Sequence, residues 1–213
     1  MTKEREDRLT EAIALIQSNS IHQAIAELES LVESYPDYLE GWYNLGYALS
    51  QVERGEDALK AYEEALAIDN RIFEIWFNKG TLHYELRQFK KAIECLERAV
   101  EIKDDDAEAW NNLGTAYSRL GNGEKALEAY TRAVALQPNY PEALYNKANA
   151  HFIEGHHERA VAFAELAMQL QPTLASKIHD WIHISRDHLE SAKTEKELEK
   201  KMKKISEIKD ETE

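Results

Sequence analysis

The chain has few of the residues that break helices, bridge chains or cross membranes. Among 213 residues there is one cysteine, with four prolines and eight glycines. The single cysteine, Cys95, excludes an intrachain disulfide and a cysteine-based zinc cluster, and it fits a reducing compartment. So little proline and glycine argues against a turn-rich β-sandwich and leaves helix as the expectation. No apolar run approaches the roughly 18 residues that a membrane span requires. The opening MTKEREDR is charged with no apolar core behind it, so it does not read as a secretory signal. The expected location is cytoplasmic.

Basic charge is scarce as well. Lys and Arg number 26 against 40 Asp and Glu, a net charge of -14. Residues 191–213 hold seven Lys and seven acidic residues, so the deficit lies wholly upstream. An acidic body repels phosphate backbones, and nucleic-acid binding needs a basic track. Neither nucleic acid nor membrane is therefore expected as a partner. Catalytic signatures are missing too: there is no GxxxxGK[ST] phosphate cradle, no GxSxG elbow and no HExxH. Carboxylate pairs are plentiful, but an acidic helical surface supplies them without a shared cleft. No cofactor is expected.

What the chain does have is a repeat. Trp42, Trp76 and Trp110 are spaced by 34, and Gly46, Gly80 and Gly114 keep the same step. So do Ala58, Ala92 and Ala126, and Ala65, Ala99 and Ala133; one step on lie Ala160 and Ala167, one step back Ala24 and Leu31. A fixed period of this size signals stacked units that bury one another's apolar faces. Within a unit, apolar residues recur at three- and four-residue spacing: Trp42, Leu45, Leu49 and Val52, then Leu59, Tyr62 and Leu66. That is one stripe per helix, and the break ERGE at 53–56 makes two antiparallel helices of about 13 residues. Gly46 and Ala58 are expected where helices approach closely. Glu6, Glu40, Glu74, Glu108 and Glu142 fall near first-helix starts, where negative charge is favoured.

The phrases WYNLGYAL at 42–49 and WNNLGTAY at 110–117 carry a family resemblance. With Ala58, Tyr62 and Ala65, and with Ala126, Tyr130, Ala133 and Pro138, the pattern resembles the tetratricopeptide repeat, W-x2-L-G-x2-Y followed by A-x3-F/Y-x2-A and P. In that register the units are 5–38, 39–72, 73–106, 107–140 and 141–174, followed by a capping helix at about 175–190. The resemblance implies an all-α, right-handed superhelical solenoid of antiparallel helix pairs, one domain over 1–190. The tail 191–213 is charged, helical or frayed, with a thin apolar stripe of Leu198, Met202, Ile205 and Ile208. Departures cluster in two units: Lys79 and His83 in the third; Leu144, Lys147, Ala148, His151 and Ala164 in the fifth. Looser packing is expected in both.

The resemblance also implies a ligand groove on the concave face, lined by positions 2, 5, 6, 9, 12 and 13 of each unit. Carried onto this sequence, the groove candidates are Tyr43, Asn44, Tyr47, Phe77, Asn78, Asn111, Asn112, Arg119, Tyr145, Asn146 and Asn149. The same positions bring Ser50, Gln51, Thr81, Tyr84, Glu85 and Thr115. Amides bond both N–H and C=O of a peptide, and rings add apolar area at low entropy cost. The Glu row favours Lys or Arg in a partner. Packing roles stand beside these: helix-start chemistry for the Glu row, interhelical holding for the Asn row, and core for the tryptophans. No position-two residue is basic, so the subtype that clamps a terminal carboxylate is not expected.

The leading functional expectation is a non-catalytic adaptor, scaffold or co-chaperone that holds a neutral or basic peptide or helix of another protein. A second is a structural subunit that self-associates through solenoid ends or the tail. A third is a metal-dependent enzyme near the C-terminal histidines: His179 and His183 lie four apart on one helical face and could hold one ion, with no third ligand assigned.

Overall fold

The computed structural model describes residues 2–210, with side chains placed for 3–202. Among the described residues there are eleven α-helices, a short 3-10 turn at Pro172–Leu174, and no strand. The helices are α1 (Thr2–Gln17), α2 (Ile21–Ser34), α3 (Leu39–Ser50), α4 (Gly55–Ile68), α5 (Phe73–Glu85), α6 (Phe89–Ile102), α7 (Ala107–Arg119), α8 (Gly123–Leu136), α9 (Pro141–Ile153), α10 (His157–Leu170) and α11 (Ala175–Asp210). The fold class is thus the all-α one of antiparallel helix pairs. The chain forms two compact units, Met1–Leu120 and Gly121–Glu213, divided between α7 and α8. In the first unit α1 packs on α2, α3 on α4 and α5 on α6; each second helix also packs on the next first helix, and α1, α3, α5 and α7 touch in order. In the second, α9 packs on α8 and α10, and α10 on α11.

Three devices recur with the period. The first is a left-handed residue in the turn that follows a first helix: Asn19, Glu53 and Arg87 have φ of 61°, 59° and 58°, and Gly121 and Gly155 have 75° and 73°. A left-handed residue after a helix lets the next amide reach back to the last turn. Ser20, Arg54, Gln88 and His156 do this, bonding Leu15, Leu49, His83 and His151 carbonyls at 2.8, 3.2, 2.8 and 2.8 Å. The conformation is kept although Glu and Arg adopt it less readily than Gly or Asn.

The second device is a clasp by the tryptophans. Trp42, Trp76 and Trp110 are half-buried. Their indole N–H groups donate to the carbonyls of Pro36, Asn70 and Asp104, at 3.0, 2.8 and 2.8 Å. Each acceptor lies six residues upstream, in the turn that leads into the same helix. The tryptophans are therefore scaffold, but as ties on the turn more than as deep core.

The third is close approach within a pair. A Cβ on Gly46 would lie 2.7 Å from Tyr62 Cδ1, and one on Gly80 would lie 2.8 Å from Leu96 Cγ. Both distances are below ordinary carbon contact, so the helices meet there because no side chain intervenes.

Of the polar replacements in the third and fifth repeats, His83, Lys147 and His151 are buried and Lys79 is half-buried. His83 is 4% exposed and its Nδ1 lies 2.8 Å from Gln88 Oε1. Lys147 holds its ammonium 4.4 Å from the Phe163 ring centroid, and the His151 ring stacks on that same ring at 5.7 Å and 10°. Phe163 thereby occupies ring space beside Ala164. Burial pushes His151 down from 6.5 to about 4, with Lys147, His156 and Arg159 adding like charge in the same direction. Its Nδ1 is buried without a hydrogen-bond partner among the described residues.

The α11 helix continues past the expected end of the cap to Asp210. Ile178, Trp181, Ile182 and Ser185 are buried, whereas 191–202 are exposed throughout. Ile205 and Ile208 lie outside the residues whose side chains are described.

Two outcomes are expected. Gly46→Ala adds helix propensity of about 1 kcal/mol yet destabilises by about 1–3 kcal/mol net, because the ring of Tyr62 must move. A urea midpoint at or above wild type would refute the close-approach argument. Second, the depressed His151 stays neutral in the folded state while its unfolded counterpart takes up a proton below 6.5. Stability is therefore intact above pH 6.5 and lost as pH falls towards 4. The loss at pH 5.5 is on the order of 1 kcal/mol. His151→Phe should remove that part of the difference between urea midpoints at pH 7.5 and 5.5, and an unchanged difference would count against it.

Candidate interaction face

In the first unit the candidate residues lie on α3, α5 and α7, which stand side by side. Several of them bond within the protein. Asn44 donates from Nδ2 to the Glu40 carbonyl of its own helix at 2.7 Å. Asn78 donates to the hydroxyl of Tyr43 on the preceding first helix at 3.1 Å, and burial raises the Tyr43 pKa. Phe77 is half-buried and stacks on Phe73 at 5.6 Å. Asn111 is only 6% exposed, which leaves little of it for a partner. Arg119 donates from Nε to the Tyr84 hydroxyl at 3.0 Å. Tyr47 is open, at 39% exposure, and Asn112 is half-buried. In the second unit, Tyr145 packs against the core of Leu144, Ala148 and Ile178, and Asn146 and Asn149 are half-buried on α9.

Between these first helices lie cavities that follow the repeat. One of about 260 Å³ is lined by Tyr47, Ser50, Gln51, Tyr62, Asn78, Thr81, Leu82 and Glu85. The next, of about 250 Å³, is lined by Thr81, Tyr84, Glu85, Leu96, Asn112 and Thr115. Moving the first set forward by 34 takes Tyr47 to Thr81, Ser50 to Tyr84, Gln51 to Glu85, Tyr62 to Leu96, Asn78 to Asn112 and Thr81 to Thr115. The two cavities are therefore the same place in successive units, joined at Thr81 and Glu85. A third, of about 450 Å³, continues from Tyr84 and Glu85 to Arg87, Phe89 and Arg119.

The floors, Tyr62 and Leu96, come from second helices and were absent from the sequence-derived groove. A signal was present: each lies sixteen residues after a repeat glycine, Gly46 or Gly80, and that glycine is the point of closest approach. Hydroxyls differ along the row. Thr115 donates to the Asn111 carbonyl at 2.9 Å, while Thr81 Oγ1 is buried with no partner among the described residues.

The C-terminal histidines form pairs. Exposed His179 and His183 bring their Nε2 atoms to 3.3 Å. His157 stacks on His188 at 4.5 Å, with its Nδ1 3.1 Å from the hydroxyl of Ser185. Among the described residues no group of three or more His, Cys, Asp or Glu is arranged to hold a metal ion. Burial pushes the Cys95 thiol up to about 11, so it packs as a small apolar group against the Gly80 backbone.

Two family models described as Tetratricopeptide repeat match residues 77–141 and 112–175, and 37–105, spanning 37–175 between them. Several solved structures share the fold. MamA from Desulfovibrio magneticus RS-1 superposes with a TM-score of 0.75 at 22% identity, over 79% of this chain and 96% of that one. YrrB, a TPR protein with an unusual peptide-binding site, gives 0.70 at 24% identity, over 80% and 92%. PilF from Pseudomonas aeruginosa gives 0.69 at 19% identity, over 90% and 92%. A curated relative, the cytochrome c-type biogenesis protein CycH of Pseudomonas aeruginosa, is 39% identical over 57 residues, 27% of this chain. The match spans only 14% of that relative's length.

The bonding pattern separates two asparagines that the repeat makes equivalent. Asn78→Ala should cost about 1 kcal/mol through the lost bond to Tyr43. Asn112→Ala, which removes a cavity-lining amide, should stay within about 0.5 kcal/mol of wild type. Equal losses of urea stability in the two variants would contradict the division.

Proposed function

The chain belongs to the tetratricopeptide repeat family, and on that premise we propose that it is a non-catalytic adaptor, scaffold or co-chaperone that holds a peptide or helix of another protein. The binding face is the row of first helices α3, α5 and α7. The observation that supports this most is the pair of cavities in 34-residue register, opening side by side and continuing into a third. An elongated ligand laid across successive units meets equivalent cavities at each step, as a partner of a repeat protein requires. Tyr47 and Asn112 supply an exposed ring and an amide; Arg119 marks the far end. Asn44, Asn78, Tyr43, Phe77 and Asn111 shape the face through the contacts already described. Tyr145, Asn146 and Asn149 belong to the proposal as the corresponding face of α9.

The net charge of -14 supports a neutral or basic partner over an acidic one. Among the described residues no helix is long and apolar enough to cross a membrane. A cytoplasmic setting is part of the proposal and rests on the single buried thiol. A second reading, self-association through α11, draws on Leu198 and Met202, which are 60% and 64% exposed.

The test is a photo-crosslinking amino acid placed at Tyr47 and, as control, at exposed Lys60 on α4. Partner adducts should form from position 47 and not from position 60. Equal labelling from both, or none from position 47, would sink the reading.

A further inference from the structure

We propose that the cavity between α5 and α7 is a specificity pocket that selects an aliphatic side chain with a Lys or Arg within two positions of it in the partner. This rests on the first-helix face being the binding face and adds the chemistry of its occupant.

The two registered cavities differ where it matters. In the first, the residue contributed by the second helix is Tyr62, 1% exposed, a ring that carries a hydroxyl. In the second, Leu96 stands at the same place, 0% exposed, so the base carries neither ring nor hydroxyl. The walls are the Tyr84 ring, held against Phe89 with centroids 5.5 Å apart, two threonines, Asn112 and Glu85. A volume of about 250 Å³ over a leucine floor suits one aliphatic side chain and offers a polar one no partner at the base.

The rim supplies orientation. Glu85 is exposed, lines all three cavities and forms no ion pair among the described residues. Arg119 and Arg87 line the far cavity, beyond Tyr84. A ligand cation is thus attracted at Glu85 and repelled further along, which confines it to the neighbourhood of the inserted aliphatic group. In an extended segment, residues two apart point the same way.

The experiment pans a phage-displayed random dodecamer library against the full chain and measures the best peptides by fluorescence polarisation. Enriched peptides should share an aliphatic residue with Lys or Arg within two positions. Thr115→Leu, which fills the cavity from its rim, should weaken them at least tenfold. Glu85→Gln should weaken them about fivefold, flatten their salt dependence, and leave binding of the peptide's own Lys→Gln version unchanged. Thermal melts of both variants check that the fold is kept. Should peptides lose affinity with Tyr47→Ala but ignore Glu85→Gln and Thr115→Leu, the pocket assignment is overturned while the binding face survives. If no peptide is enriched, or none responds to any of these substitutions, both are overturned.

Discussion

Everything in the first unit turns on how closely a first helix can lie on its partner. At Gly46 and Gly80 the missing Cβ brings helix backbone to within a side chain's contact distance of Tyr62 and Leu96. Those two residues are the ones that floor the registered cavities. Scaffold and proposed site therefore share one contact. The glycine sets the depth to which the first helix sinks, and the residue it sinks onto sets what the cavity beside it can accept. On the proposed function, a substitution at position 62 or 96 alters packing and cavity together, so the repeat glycine bears on the proposed site without lining it.

The period made the helix pairs legible, because apolar stripes and small residues at a fixed 34-residue spacing suit stacked helix pairs and little else. Other features left no trace in residue type. The left-handed turn position is filled by Asn19, Glu53, Arg87, Gly121 and Gly155, so only the backbone repeats. A side-chain pattern cannot reveal it while the closing amide bond is made by whichever residue comes next. The tryptophans were legible as scaffold, but their bond to the upstream turn was not. An apolar stripe reports which way a ring faces and says nothing of where its one N–H goes. The floors of the cavities were hidden for a related reason: they lie on second helices, whereas the family's groove positions all fall on first helices.

Repetition also conceals. Asn44, Asn78, Asn112 and Asn146 look alike in sequence, and a packing need repeats as faithfully as a binding need. The structure divides them by partner. Asn44 bonds its own helix, Asn78 bonds Tyr43 across to the neighbouring helix, and Asn112 lines a cavity. A row of identical residues need not have one role, because the hydroxyl that Asn78 finds in Tyr43 is absent from Phe77, one period further on.

The fifth unit shows the governing contact under change. Its first helix has Ala148 where the second to fourth have glycine, and sixteen residues later it has Ala164 where the others have Tyr or Leu. Both are fully buried in one cluster. A methyl has been added on one side and a large side chain removed on the other, the direction that volume conservation requires. The first repeat, 5–38, makes a milder version, with Ala12 and Leu28 both at 0% exposure. In the fifth repeat the ring is at Phe163, the position before Ala164, where it contacts His151 and Lys147. Lys147 and His151 are thus tolerated in core register because an aromatic face receives them, a better partner for a cation than an aliphatic floor. The departures from the motif at 144–151 thus form one set of mutually compatible residues, Ala148 facing Ala164 and Lys147 and His151 facing Phe163.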